Sequence, residues 1–238
     1  MKLDILVFAA HPDDAELACS GTIAAHAAAG YKCGIIDLTR GEMGTRGTPE
    51  LRMKETEKSS KILGLDIREN LLFEDGKFVN DWDHQIEVIK MIRKYQPEIV
   101  LANAITDRHP DHGKGASLLK DAYFKSGLKK IQTFSHDEPQ EAYRPKHLYH
   151  YIQNDYIEPS FIVDISDYWD KKINSIMAYE SQFYNPNSKE PDTFISSSNF
   201  IEFIEARAKE FGHRIGKKYG EGFTMSTTPG IENLLSLV

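Results

Sequence analysis

Cysteine is scarce: only Cys19 and Cys33 occur in 238 residues. They do not form a C-x-x-C pair and nothing suggests export, so reduced thiols in a cytosol are expected rather than a disulfide. No stretch approaches the roughly 20 apolar residues that span a bilayer. The apolar run Ile5 to Ala10 is shorter than a secretory h-region, and charges follow it at once. The chain is therefore expected to be cytoplasmic, with no membrane partner. An excess of positive charge is also missing. Twenty-nine basic against 36 acidic residues leave a net charge of −7, which gives no basic footprint for nucleic acid. There is no G-x-S-x-G elbow and no G-x-G-x-x-G loop, which disfavours a serine hydrolase and a dinucleotide site. Repeats, linkers and low-complexity segments are absent too, so residues 1–238 are read as one domain.

What is present alternates. Residues 3–10 (LDILVFAA) form a continuous apolar run, as expected of a strand buried on both faces. An alanine-rich helix over about 15–29 stops at Gly30. Residues 32–38 read as a second strand, and Pro49 opens a helix that Gly64 closes. A short strand near 70–74, a helix at 83–94 and a strand at 98–103 follow. A helix at about 113–126, strands at 147–153 and 161–165, and helices at 167–181 and 199–218 complete the chain. This order predicts an α/β, Rossmann-like, mostly parallel sheet with helices on both faces. Its active site is expected at the carboxyl ends of the strands. The catalytic motifs fall within about 1–125. The portion from about 145 to 238 completes the sheet, and the polar stretch 183–198 is a candidate lid.

Two histidine–aspartate clusters follow predicted strands. The first is His11-Pro12-Asp13-Asp14-Ala15-Glu16 and the second is Arg108-His109-Pro110-Asp111-His112. Either alone is weak, because His and Asp also cap helices and fill turns. Together, at the ends of two buried strands, they point to a metal. Zinc accepts imidazole nitrogen and carboxylate oxygen and, in catalytic sites, takes three protein ligands. His11, Asp14 and His112 supply such a set, although Fe²⁺ or Co²⁺ suits similar ligands. Asp13, beside a ligand, is the candidate general base. His109 is the candidate charged imidazole for an oxyanion, with Asp111 holding it in that form. Arg52 and Arg108 are candidate contacts to substrate carboxylate or hydroxyl groups, or else structural ion pairs. Arg46 is a weaker candidate of the same kind. Glu42, with Gly41, Gly44 and Gly47, forms either a wall for sugar hydroxyls or an ordinary loop. Glu16 either orients a ligand or is simply an acid favoured near a helix N-terminus.

At these residues the chain resembles the LmbE-like and PIG-L N-acetylglucosaminyl deacetylases. The match comprises a strand followed by HPDD-x-E (His11 to Glu16), then Thr39–Thr45 (TRGEMGT), Arg52-x-x-Glu55 and HPDH (His109 to His112). Within the family the sequence is most similar to the bacillithiol-pathway deacetylases, which act on N-acetylglucosaminyl malate. The resemblance implies zinc on His11, Asp14 and His112, Asp13 as base and His109 as charged partner. It also implies an N-acetyl amino sugar conjugate as substrate and a homo-oligomer, hexamer or trimer. Some relatives place a tyrosine over the oxyanion, a part that falls to Tyr184 here. Three other readings stand beside this one: a deacetylase of another N-acetyl sugar, a metal-dependent phosphoesterase, and a non-catalytic sugar-binding module. A phosphoesterase often needs two metals and more carboxylates. A binding module has no use for the spare carboxylate of Asp13.

Overall fold

The run that is apolar on both faces becomes an interior strand of the sheet, β1 (Ile5–Ala9), buried throughout. The structure, a computed structural model, describes residues 1–228 together with 230, 233 and 235. Strand β1 is followed by α1 (Asp14–Ala28), β2 (Cys33–Thr39), α2 (Pro49–Leu63), β3 (Ile67–Phe73), α3 (Trp82–Tyr95), β4 (Ile99–Ala102) and α4 (Pro110–Ser126). A two-stranded hairpin, β5 (Phe134–Ser135) with β6 (Glu138–Pro139), precedes β7 (His147–Tyr151) and β8 (Phe161–Asp164). A 3₁₀ turn at Ser166–Tyr168 leads into α5 (Trp169–Met177), and α6 (Phe200–Arg214) and β9 (Gly220–Thr224) follow.

The main sheet has seven strands in the order β3-β2-β1-β4-β7-β9-β8. Pairings from β3 through β7 are parallel, and β9 runs antiparallel to both β7 and β8. Alternate residues of β1 divide between two cores. Leu6 and Phe8 pack with Val88, Ile92 and Leu118 of α3 and α4. Ile5, Val7 and Ala9 pack with Ala15, Cys19 and Ile23 of α1. Helices therefore cover both faces, as a parallel sheet requires. The strand order reverses between β1 and β4, which opens the crevice where α/β proteins bind ligands.

Several expected boundaries move. Helix α4 begins at Pro110 rather than near 113, so His112 sits in its first turn. The expected 167–181 helix splits into the 3₁₀ turn and a nine-residue α5. Strand β9 has no counterpart among the elements expected from the sequence.

Helix α1 is interrupted at Cys19, whose φ of −139° is not helical. Glu221 of β9 accepts the freed N–H groups of Gly21 and Thr22 at 3.0 and 2.7 Å. Lys172 of α5 donates to the carbonyls of Glu16 and Leu17 at 3.2 and 2.9 Å, and to Glu221 at 2.7 Å. One buried ion pair thus meets the broken helix from both sides. Among the described residues, no helix is long and apolar enough to cross a membrane. Cys19 and Cys33 are buried free thiols.

Candidate active site and metal centre

The loop after β1 carries the first cluster and the loop after β4 the second, and the parallel β1–β4 pairing brings them together. They share a cavity of roughly 340 Å³ with Arg52, Arg108 and Gln153, backed by Leu17, Phe200 and Ile204.

Asp14 stands between two imidazoles. Its Oδ1 lies 3.0 Å from His112 Nε2 and its Oδ2 lies 3.4 Å from His11 Nδ1. Its remaining lone pairs accept the His11 backbone N–H at 2.9 Å, Asn103 Nδ2 at 3.2 Å and Gln153 Nε2 at 3.1 Å. Each imidazole is fixed from behind by a carboxylate. His112 Nδ1 donates to Asp107 Oδ2 at 2.6 Å. His11 Nε2 donates to Asp75 Oδ1 at 3.0 Å and lies 3.6 Å from Asp111 Oδ2. With those protons placed outward, the lone pairs of His11 Nδ1 and His112 Nε2 face Asp14. Such carboxylate–histidine pairs are the usual outer support of a metal ligand. Burial pushes the His112 pKa down, but Asp14 and Asp107 outweigh it and raise it to about 9. Among the described residues, the sets of three whose ligand atoms all lie within 4.8 Å of one another are His11, His109 and His112, and His11, Asp75 and Asp111; Asp14 joins them through its separate contacts to His11 and His112.

Asp13 precedes α1 with φ 106° and ψ −23°, a left-handed conformation rare for a side chain other than glycine. In this conformation its buried carboxylate belongs to the cavity lining, as does that of Asp14. Burial raises the Asp13 pKa, Arg52 opposes that, and Asp14 adds to it, leaving it at about 7. Arg52 Nη1 donates to the Pro12 carbonyl at 3.1 Å and lies 3.5 Å from Asp13 Oδ2. Arg52 lines the cavity, but its charge is committed to the HPDD loop.

His109 caps α4. Its Nδ1 accepts the Asp111 N–H at 3.3 Å, so a neutral ring carries its proton on Nε2. Here the structure corrects the expected pairing. The Asp111 carboxylate accepts the Gly76 N–H at 2.9 Å, meets Lys114 at 3.0 Å and approaches His11, rather than holding His109. Burial and the neighbouring charges of His11 and His112 lower the His109 pKa, while Asp14 and Asp111 oppose them.

Two further expectations are corrected. Glu42 does not line the cavity: its oxygens accept the backbone N–H groups of Arg40 and Asp75 at 3.2 and 3.0 Å. It thus ties its own glycine-rich loop to the loop after β3, where Asp75 lies. Tyr184 is 52% exposed and outside the cavity lining. The segment that reaches the cavity comes later, at Thr193, Phe194 and Ile195. Arg108 is exposed, lines the cavity, and lays its guanidinium 4.3 Å over the Phe194 ring. Arg46 is buried and lies 3.7 Å from Glu190. Glu16 turns away from the site into a buried cluster with Ser59, Arg68 and Tyr179.

Asp75, Asp107, Asn103 and Gln153 are not singled out by the sequence alone. All four sit at or just past strand carboxyl ends, the signal that could have found them.

Three comparisons bear on this geometry. The family model described as "PIG-L: GlcNAc-PI de-N-acetylase" matches residues 6–123, which include both clusters. Diacetylchitobiose deacetylase of Thermococcus kodakarensis is 28% identical over 95% of this chain and 84% of its own. A 4-oxalmesaconate hydratase of Pseudomonas putida is 26% identical over 74% of this chain and 73% of its own. The crystal structure of a conserved protein from Thermus thermophilus superposes with a TM-score of 0.86. It is 37% identical, with 97% of this chain and 98% of that one covered. With the matched segment spanning both clusters, and the Thermococcus deacetylase and the Thermus protein following the chain almost end to end, the protein belongs to the PIG-L/LmbE-like deacetylase family.

Proposed function

We propose that the protein is a metal-dependent amide hydrolase that removes the acetyl group from an N-acetylglucosamine conjugate. Zinc is the proposed metal and N-acetylglucosaminyl malate the proposed substrate, both on the resemblance of the motifs. The observation that carries the reading is the pair of imidazoles turned toward Asp14, each locked from behind by a carboxylate.

That donor chemistry fits a divalent ion on His11, Asp14 and His112. His109 is the weaker ligand candidate, since its Nδ1 is taken by the Asp111 N–H and its ring faces the cavity as a donor. When bound, the ion supplies Lewis acidity to the amide carbonyl and to an attacking water.

The chain's own residues do the rest. Asp13, with a pKa near 7, takes a proton from the water as its oxygen adds to the carbonyl carbon. His109 Nε2–H donates to the carbonyl oxygen as negative charge grows there. Asp13 then returns the proton to the nitrogen as the C–N bond breaks, which releases acetate and the free amine. Arg52 keeps enough positive charge beside Asp13 for the base to ionise near neutrality.

The hydratase relative motivates a second reading, in which the same base and metal add water to a carbon–carbon double bond. An acetate-release assay with N-acetylglucosaminyl malate and with free N-acetylglucosamine, with and without a chelator, separates the two. Chelator-sensitive acetate release from the conjugate is expected. No release from either sugar would discard the deacetylase reading.

A further inference from the structure

Buried side-chain atoms without a partner are few among the described residues, and three of them line the active-site cavity: Arg207 Nη1, Asn154 Oδ1 and Thr193 Oγ1. They come from α6, from just past the end of β7 and from the 183–198 segment, three parts of the chain distant in sequence. Native proteins pair such atoms almost always, so three exceptions among the residues lining one cavity call for a ligand.

Arg207 is the most telling. Among the described residues no carboxylate lies within ion-pair distance of it. Its one hydrogen bond is Nη2 to the Leu17 carbonyl, at a long 3.4 Å. Its guanidinium leans on Phe203, 5.5 Å from the ring centroid. Burial depresses its pKa to about 10, with only the more distant charges of Glu221 and Asp107 opposing. It still carries a full positive charge at neutral pH. Asn154 borders the same ground: its backbone N–H donates to Asp107 Oδ1 at 2.9 Å. Thr193 precedes Phe194, whose ring carries Arg108.

We propose that Arg207, Thr193 and Asn154 form a subsite for an oxyanion carried on the aglycone of the substrate. This rests on the hydrolase reading of the cavity. Arg207 Nη1 and the Thr193 hydroxyl donate to the anion, and Asn154 Oδ1 accepts from a neighbouring hydroxyl of the conjugate. Guanidinium binds carboxylate and phosphate alike, so the shared chemistry is an oxyanion, from either a carboxylic acid or a phosphate ester. Arg52 is already held by Asp13 and the Pro12 carbonyl, so α6 supplies a half-buried cation of the cavity lining that no carboxylate engages among the described residues.

Calorimetric titration of the full-length protein with L-malate and with inorganic phosphate tests the subsite without any turnover. The parent should bind at least one anion, and Arg207→Gln should weaken that binding tenfold or more, with Arg207→Lys intermediate. The anion bound more tightly identifies the source. Equal binding by parent and Arg207→Gln, or no binding of either anion by the parent, overturns the proposal. Should Arg207→Gln fail to fold, Thr193→Val carries the same comparison with a smaller loss expected. In parallel, the ratio of kcat/KM for N-acetylglucosaminyl malate to that for the neutral methyl N-acetylglucosaminide should fall tenfold or more in Arg207→Gln. Acetate release with an unaltered ratio would sink the subsite and leave the hydrolase standing. Anion binding at Arg207 with no acetate release would do the reverse.

Discussion

His112 and Asp107 are joined at 2.6 Å from Nδ1 to Oδ2, and that contact decides which nitrogen of His112 faces Asp14. The same carboxylate accepts the backbone N–H groups of Asn154 and Asp155 through its other oxygen, at 2.9 and 2.7 Å. Asp107 thereby ties the HPDH loop to the end of β7. An Asp107→Asn variant keeps the shape and removes the charge, so it should bind zinc about 10–100-fold more weakly. Competition against a chromophoric chelator measures this directly. Parent-like affinity would mean that Asp107 orients nothing that matters to the metal.

Asp13 is expected to act on protons and not on the ion. Asp13→Asn preserves size and leaves His11, Asp14 and His112 in place. Metal content by elemental analysis should stay at the parent value, while turnover falls by roughly 10²–10⁴-fold. Retention of near-parental turnover would remove Asp13 from the role of base. Loss of the metal would instead make it a ligand.

The contrast between those two residues also measures how far the sequence can be read. His11, Asp13, Asp14 and His112 lie in short motifs, each next to a strand that announces itself by unbroken apolarity. Local pattern is enough to find them. Asp107 and Asp75 act across 5 and 64 positions from the imidazoles they hold, and only the strand pairing brings Asp75 to His11. Glu42 misleads because a carboxylate in a glycine-rich loop reads the same whether it serves a ligand or its own backbone. Strand β9 is unreadable for a different reason. Its sequence, GEGFT, has no apolar alternation. A Cβ at Gly220 would come 2.6 Å from Ile162, one at Gly222 would come 2.9 Å from Phe211, and Glu221 is consumed by Lys172. Close packing against β8 and α6, not strand propensity, selects those residues.

The pH dependence follows from Asp13 and Arg52. Only the ionised carboxylate accepts a proton, so kcat/KM should fall as pH drops through about 7. Arg52 lowers the Asp13 pKa by favouring the charged form. Replacing it with methionine removes that effect and raises the pKa, so the acid limb should move upward by about one unit or more. Activity at about pH 6.5 should then suffer far more than activity at about pH 9. A pH–rate profile that keeps its shape in Arg52→Met would show that Arg52 acts elsewhere, for instance on substrate.

The break in α1 makes a stability prediction with consequences for the site. Lys172 and Glu221 are almost fully buried, with side chains 2% and 3% exposed. Each also satisfies backbone groups that the interrupted helix leaves free. Removing one partner leaves an uncompensated charge in the interior, so Lys172→Met should cost about 3–5 kcal/mol. For a chain of this size that corresponds to a melting point lower by roughly 10 °C. Removing both charges, in Lys172→Met with Glu221→Gln, still leaves the Gly21 and Thr22 amides an acceptor. The double variant should therefore recover part of the loss. Because Lys172 grips the carbonyls of Glu16 and Leu17, one turn beyond Asp13 and Asp14, the single variant should also bind metal more weakly at temperatures where it is still folded. Calorimetric melts of the three proteins, with and without zinc, test both parts. A single variant as stable as the parent would mean that the helix mends its own break without the ion pair.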